Sequence, residues 1–110
     1  MIRFVPFETE EFAGMIALDS EEKEIGRCTF LLNGYQMKFI SVDCKDDIIT
    51  EGLARAAMNY AANRYAYIAE INKDISSPAF SRLGFSGEDV LRVEIPEALM
   101  SSGCNCGNAN

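Results

Sequence analysis

The chain contains no histidine, so any catalysis must rest on carboxylates, cysteine, tyrosine, lysine, main-chain amides or water. Without an imidazole, Ser-His-Asp and Cys-His nucleophile systems and histidine-ligated metal sites are excluded within the chain. Four cysteines, at positions 28, 44, 104 and 106, raise the question of a metal or redox site. The 17 Asp and Glu residues provide candidate general bases.

The spacing of the cysteines can be tested against a hairpin. Asn33-Gly34 lies between two β-prone runs, a pattern that predicts a two-residue type I′ turn. In the register that this turn sets, Cys28 and Cys44 lie five positions apart, roughly 17 Å at about 3.4 Å per residue, and on opposite faces. We therefore expect no site that unites all four cysteines, and no bound metal. Cys104-Asn-Cys106 is a separate candidate for a redox pair of thiols or for a soft-metal site. Two thiolates alone are, however, an incomplete zinc site.

A helix is predicted directly after the hairpin. Asp46 and Asp47 are suitable N-cap residues, and acidic side chains in a first turn suit the positive end of the helix dipole. Asn63 is a plausible end of this helix. Its apolar residues recur at helical spacing and predict one buried stripe: Ile49, Leu53, Ala56, Ala57, Tyr60 and Ala61.

The other elements are read from alternating apolar runs, prolines and glycines. They complete the order β-β-β-β-α-β-α-β, for which an α+β fold with a mixed, largely antiparallel sheet and two covering helices is the economical packing. The predicted strands are 2–5, 15–18, 24–32, 35–44, 65–71 and 90–95, and the second helix, capped by Ser77 with Pro78 at its first position, is 78–83.

Composition limits the classes of function. The chain has 110 residues, which suits one domain, 1–100, followed by a flexible Cys-containing tail, 101–110. A net charge of −7 argues against binding to nucleic acid or to anionic membranes. No apolar run approaches the roughly 20 residues of a membrane helix, and no signal peptide is recognisable, so a cytoplasmic location is expected. An exposed edge strand is available for a homodimer.

Residues 42–85 resemble the GCN5-related N-acetyltransferase (GNAT) superfamily. In that family a strand leads into a helix through the pattern Arg/Gln-x-x-Gly-x-Gly/Ala, and the matching stretch here is Ile49–Ala54. A later short helix ends in Leu-Tyr-x-Lys-Leu-Gly-Phe, and the matching stretch is Ala79–Phe85. The hairpin before these motifs fits the third and fourth strands of the family.

The resemblance implies an N-acetyltransferase that takes acetyl-CoA as cosubstrate and acetylates an amine. Main-chain amides at a helix start are suited to a diphosphate, and the thioester would lie between two diverging strands. Because the acceptor amine must be neutral to attack, a general base is also implied, with Asp43 and Glu70 as the candidates. The residues implied in cofactor binding are Val42, Thr50, Glu51, Gly52, Leu53, Ala54 and Arg55.

Several residues depart from the family pattern. Ile49 stands where the phosphate motif begins with Arg or Gln, and Phe80 stands where the family has the Tyr that is often assigned as the acid. The two helices that usually follow the first strand have at most residues 8–14 to form in. These departures favour an alternative, a catalytically inactive GNAT-fold interaction or regulatory domain. A weaker alternative is a thiol or metal module centred on Cys104 and Cys106.

Overall fold

The computed structural model describes the backbone of residues 1–103 and the side chains of residues 1–100. This part of the chain forms one sheet, three α-helices and one short 3-10 helix. In chain order the elements are β1 Arg3–Glu8, β2 Ala13–Leu18, β3 Glu24–Asn33, β4 Gln36–Asp43, α1 Asp47–Ala62, β5 Ile68–Asn72, the 3-10 helix Lys73–Ile75, α2 Pro78–Arg82, β6 Val90–Glu94 and α3 Ile95–Gly103.

The predicted fold class is confirmed. The six strands follow chain order across the sheet, and every neighbouring pair is antiparallel except β4 and β5, which are parallel and joined through α1. β1 and β2 are connected by a tight turn in which the Thr9 N–H donates to the carbonyl of Phe12, so no helix separates them. Asp46 caps α1 and Asn63 ends it, as predicted.

The two predicted covering helices, α1 and α2, both form, and α3 is a third helix that was not predicted. The strand predicted over 90–95 ends at Glu94, and Ile95 and Pro96 begin α3, since proline is tolerated at a helix start. Ile95 and Ala98 are fully buried and Leu99 is half-buried, which is the i, i+3, i+4 spacing of an apolar helix face. α3 packs against α1 and crosses the predicted boundary at residue 100. The rest of the predicted tail, with Cys104 and Cys106, lies outside the described residues.

The core lies on one face of the sheet. Alternate residues of the strands are buried beneath the helices, and α1 contributes several alanines that let its backbone approach the sheet closely. The opposite face carries partly exposed side chains such as Leu31 and Ile40. Glu70 of β5 also keeps part of its surface exposed on this opposite face. The buried hydrophobic residues of the strands are Ala13, Met15, Ala17, Cys28, Phe30, Met37, Phe39, Ala69, Ile71 and Val93.

The hairpin between β3 and β4 forms, but its turn is shifted by one residue from the prediction. Asn33 pairs with Gln36, so the two turn residues are Gly34 and Tyr35. Gly34 has φ +66° and Tyr35 does not have a positive φ, as in a type II′ turn rather than a type I′ turn.

The shifted turn, together with an extra residue at Ile40 where the register of β4 changes, overturns the predicted separation of two cysteines. Cys28 lies opposite Val42, and a Cβ built on Gly26 would meet the Cys44 Sγ at 2.7 Å. Cys28 and Cys44 are therefore about two residues apart along the sheet and share a face. Both thiols are free. Within residues 1–100 no three or more metal-ligating side chains gather, and no helix of the described chain could span a membrane.

Candidate functional site

The two parallel strands separate part-way along their length. The β4–β5 ladder runs only from Gln36–Phe39 on one side to Ile68–Ile71 on the other. Beyond Phe39, Ile40 has no pairing partner and the register with β3 shifts, which marks a β-bulge. Residues 40–43 then follow β3 alone, and no backbone hydrogen bond in the described chain joins them to residues after β5. We call this divergence the fork.

Aromatic packing anchors the closed end of the fork. Phe39, on the last rung of the parallel ladder, is fully buried and meets the ring of Phe80 edge-on at 5.2 Å between centroids. Phe85 contacts both rings, at 6.3 and 5.3 Å. Phe80 is therefore a core residue of α2, and it brings no hydroxyl to the fork.

The segment that follows β5 borders the fork on its other side. The 3-10 helix contacts β4, and its last residue, Ile75, packs against the core. Ser77, predicted as a helix cap, holds the cap position of α2 but makes no capping bond with its side chain. Its Oγ is buried and has no hydrogen-bond partner among the described residues.

The β4–α1 turn, residues 44–46, leads from the fork to the start of α1. Asp46 Oδ1 accepts hydrogen bonds from the N–H groups of Ile48 (2.9 Å) and Ile49 (3.0 Å). The Thr50 N–H donates to the carbonyl of Asp46, and so does the Thr50 hydroxyl. The N–H groups of Ile48, Ile49 and Thr50 are therefore engaged within the chain.

The predicted cofactor motif lies inside α1 rather than at its start. Because α1 begins at Asp47, the amides of residues 51–54 fall within the helix. Leu53 and Ala54 are buried in the core, and Val42 packs against it from β4. A Cβ built on Gly52 would meet the Phe4 ring at 2.5 Å. The close approach that Gly52 permits is therefore made by a side chain of β1.

Ion pairs link this helix start to α2. Arg82 lies 2.8 Å from the Asp47 carboxylate and 3.0 Å from that of Glu51. Arg55, also predicted to bind the cofactor, pairs with Glu51 at 3.3 Å, and its buried Nε has no partner among the described residues. The two carboxylates hold the pKa of Arg82 above its ordinary value, Asp47 having the larger effect. Next to the turn, a cavity of about 370 Å³ is lined by three carboxylates and by one ammonium group, that of Lys45.

The two candidate bases lie on the uncovered face of the sheet. Asp43 ends β4 on the free limb of the fork; it lies opposite Arg27 and makes no ion pair within the described residues. Arg27 instead binds Glu24 through two hydrogen bonds of 2.6 and 2.7 Å, which hold the pKa of the Glu24 carboxyl below its ordinary value. Glu70 lies in the paired part of β5 and forms an ion pair of 2.6 Å with Arg92. Within the described residues, Asp43 therefore lies at the fork without an ion pair, whereas the carboxylate of Glu70 is paired with Arg92.

Sequence reasoning missed three features of this region. The contact between Phe4 and Gly52 joins residues 48 positions apart and has no local signal. No local sequence pattern predicts the bulge at Ile40 either. Arg82 could have been found, because it occupies the Lys position of the pattern that ends in Leu83-Gly84-Phe85.

Known acetyltransferase structures share this fold. A probable acetyltransferase from Staphylococcus epidermidis superposes with a TM-score of 0.66 at 16% identity, over 78% of this chain and 69% of that one. GCN5 from Tetrahymena gives 0.66 at 11% identity, over 79% and 70%. A GNAT family N-acetyltransferase from Escherichia coli, solved in complex with CoA, gives 0.62 at 16% identity, over 80% and 62%.

These similarities confirm the resemblance at the level of the fold: the chain has the architecture of the GNAT acetyltransferases. It spans about two thirds of the length of these proteins. No protein-family model matches the chain, and no curated sequence matches it either.

Proposed function

We propose that this chain is an N-acetyltransferase that binds an acetyl-CoA-type thioester in the fork. The observation that carries the proposal is the end of the parallel ladder at Phe39 and Ile71, with the bulge at Ile40 turning β4 away. This divergence leaves one edge of residues 40–43 without a strand partner. A neighbour of the same fold was solved with CoA, which supports the choice of ligand.

The free edge of β4 suits an extended ligand that carries amide groups. Unpaired main-chain N–H and C=O groups of a strand bind such chains as an added strand would. The pantetheine arm of a CoA thioester is extended and contains two amides, so residues 40–43 would hold it by main-chain hydrogen bonds. The thioester supplies an acyl carbon with a good leaving group.

The reaction is an acyl transfer. The lone pair of a neutral acceptor amine attacks the thioester carbonyl carbon, the C–N bond forms and the C–S bond breaks. We assign Asp43 as the general base that takes the amine proton, directly or through water, because it ends the free limb and has no competing ion pair within the described residues. Glu70 is the second candidate, with Arg92 competing for its carboxylate. The departing thiolate takes its proton from water, since Phe80 has none to give. The products are an amide and a free thiol.

A catalytically inactive GNAT-fold domain is the second candidate function. The observations that favour it are the buried Phe80 at the family's Tyr position and the Asp46 side chain that caps the start of α1. On this alternative the chain has the fold but no acetyl-transfer activity. The third candidate, a thiol or metal module formed by Cys104 and Cys106, stays a prediction about residues outside the described chain.

Calorimetry and turnover separate these candidates. Titration of the folded protein with acetyl-CoA should give saturable heat, and excess ligand should raise the melting temperature, since only the native state binds. Release of free thiol should then be measured with a pool of primary amines. Asp43→Asn should lower kcat by about 10²- to 10⁴-fold with binding unchanged. Glu11→Gln, which removes a carboxylate from the β1–β2 turn, is the matched control and should leave both unchanged.

The results of these two measurements distinguish the active enzyme from the inactive domain. Absence of heat at millimolar acetyl-CoA with a folded sample would remove the proposal. Binding without thiol release above background would instead favour the inactive domain. Loss of turnover in Glu70→Gln but not in Asp43→Asn would transfer the role of base to Glu70. Substitution of Gly52 by a larger residue is not a useful probe of the ligand, because the added Cβ meets Phe4.

A further inference from the structure

The fork and the start of α1 differ in what they offer to a CoA-type thioester. Such a molecule has two chemically distinct parts: a neutral acyl-pantetheine arm and a phosphorylated nucleotide with a diphosphate. The arm needs amide-compatible edges, which residues 40–43 provide. The diphosphate needs free N–H donors or cations, and the helix that starts next to the fork is α1.

Three N–H donors at this helix start are already used. One carboxylate oxygen, Asp46 Oδ1, accepts from the N–H groups of Ile48 and Ile49. The next N–H along the chain, that of Thr50, makes the first intrahelical bond. An anion that approached this turn would have to displace a covalently tethered carboxylate that already satisfies the same two donors.

The charges around the turn also disfavour a diphosphate. Asp43, Asp46, Asp47 and Glu51 contribute four negative charges within nine residues. Arg82 is engaged by Asp47 and Glu51, and Arg55 by Glu51. Lys45 is the remaining cation of this region and makes no ion pair with any described residue. The negative charges around this turn oppose the binding of a further anion.

We infer that this chain recognises the acyl-pantetheine arm of its thioester and gains little from the phosphates, so that it takes acetyl-CoA and a phosphate-free acetyl-pantetheine nearly alike. The inference rests on the proposed function, because it assigns the class of carrier to the same fork. The acyl donor is then defined as an acyl-pantetheine thioester in general, with the nucleotide as a dispensable part.

The test compares the binding of S-acetyl-pantetheine and of acetyl-CoA by calorimetry. Each ligand is titrated in about 50 mM salt and again in about 300 mM salt, because the higher salt concentration screens exposed charges much more strongly. The two dissociation constants should agree within about threefold, with a salt dependence of less than about twofold for either ligand, because charged contacts are the contacts that salt weakens. A preference of about tenfold or more for acetyl-CoA that shrinks at high salt would overturn the inference and leave the proposed function standing. Failure of both ligands to bind would overturn the two together.

A variant of the cap sharpens the same test. Asp46→Ser keeps an oxygen that can cap the helix but removes its charge. It should strengthen acetyl-CoA binding by about two- to tenfold and leave S-acetyl-pantetheine binding unchanged. The control is Glu11→Ser, which makes the same change of net charge in the β1–β2 turn. This turn borders a cavity lined by Tyr60 and Arg64, at the other end of α1. The control should leave the dissociation constants of both ligands unchanged. Weaker acetyl-CoA binding in Asp46→Ser than in Glu11→Ser would contradict the inference, because the cap would then help to hold the phosphates.

Discussion

The fork and the β4–α1 turn are neighbours in the chain but differ in how far they follow the acetyltransferase pattern. The fork is made of main chain: a ladder that stops at Phe39 and a bulge at Ile40. The turn is dominated by side chains, because Asp46 caps the N–H groups of Ile48 and Ile49 and Phe4 fills the space above Gly52. The comparison teaches that a shared architecture preserves backbone-defined features, while side chains can change what an adjacent site accepts.

The largest expected effect concerns the anchor of the fork. Phe39→Ala removes a fully buried ring that contacts Phe30, Phe80 and Phe85. We expect the free energy of unfolding to fall by about 3–5 kcal/mol, as for other buried aromatic deletions. Urea denaturation measures it, with Tyr35→Ala in the exposed hairpin turn as the control. A loss below about 1 kcal/mol would show that the closed end of the fork is not part of the rigid core.

The second effect tests the side-chain packing beside the turn. Gly52→Val should lower the free energy of unfolding by about 1–3 kcal/mol, because its Cβ would meet the Phe4 ring at 2.5 Å. In a Phe4→Ala background the same substitution should cost much less, since the clashing ring is gone. Denaturation of all four proteins of this double-mutant cycle measures the coupling. If the costs simply add, Phe4 is not the partner of Gly52.

The third effect contrasts the two cysteines. Burial raises the pKa of the Cys28 thiol to about 12, with nearby Cys44 adding to the rise. The folded state therefore holds a neutral thiol while the unfolded chain ionises it from near pH 9 upward. The stabilisation is complete below pH 9 and is lost as the pH rises toward 12.

The expected loss is about 1 kcal/mol between pH 9 and pH 10 beyond that of Cys28→Ala, because the unfolded thiol is already half ionised at pH 9. Denaturation at both pH values measures this difference. Parallel pH dependences of the two proteins would show that Cys28 is not held neutral. Cys44, which is only half-buried, should be alkylated faster than Cys28 in the native protein.

The smallest effect isolates the cap. Asp46→Ala removes the acceptor of two helix N–H groups and should lower the free energy of unfolding by about 1 kcal/mol, whereas Asp46→Ser should cost a few tenths. Thermal and urea denaturation measure both. Equal stability of the Ala and Ser variants would mean that solvent serves these amides as well as the carboxylate does, and that the turn is open to an anion.

The sequence predicted local features well and long-range ones poorly. The cap of α1 at Asp46, its end at Asn63 and the start of α2 at Pro78 each depend on a few adjacent residues. The hairpin was expected from Asn33-Gly34, but its register depended on which two residues form the turn and on the bulge at Ile40, and together these moved the partner of Cys28 from Phe39 to Val42. α3 was missed because a proline near its start was taken as the end of a strand. For the candidate site, the sequence predicted residues of β4 and α1, but whether their amides are free depends on the exact start of the helix.

The sequence alone determined which chemistry is excluded, the order of most elements and where α1 and α2 begin, since composition, caps and turns act over short stretches of chain. Only the tertiary structure decided that β4 leaves β5 at Ile40, that Phe4 fills the space above Gly52, and that the second face of the sheet keeps exposed side chains. These features depend on residues distant in the chain, and such contacts are specified by the packing of the whole core rather than by any local pattern.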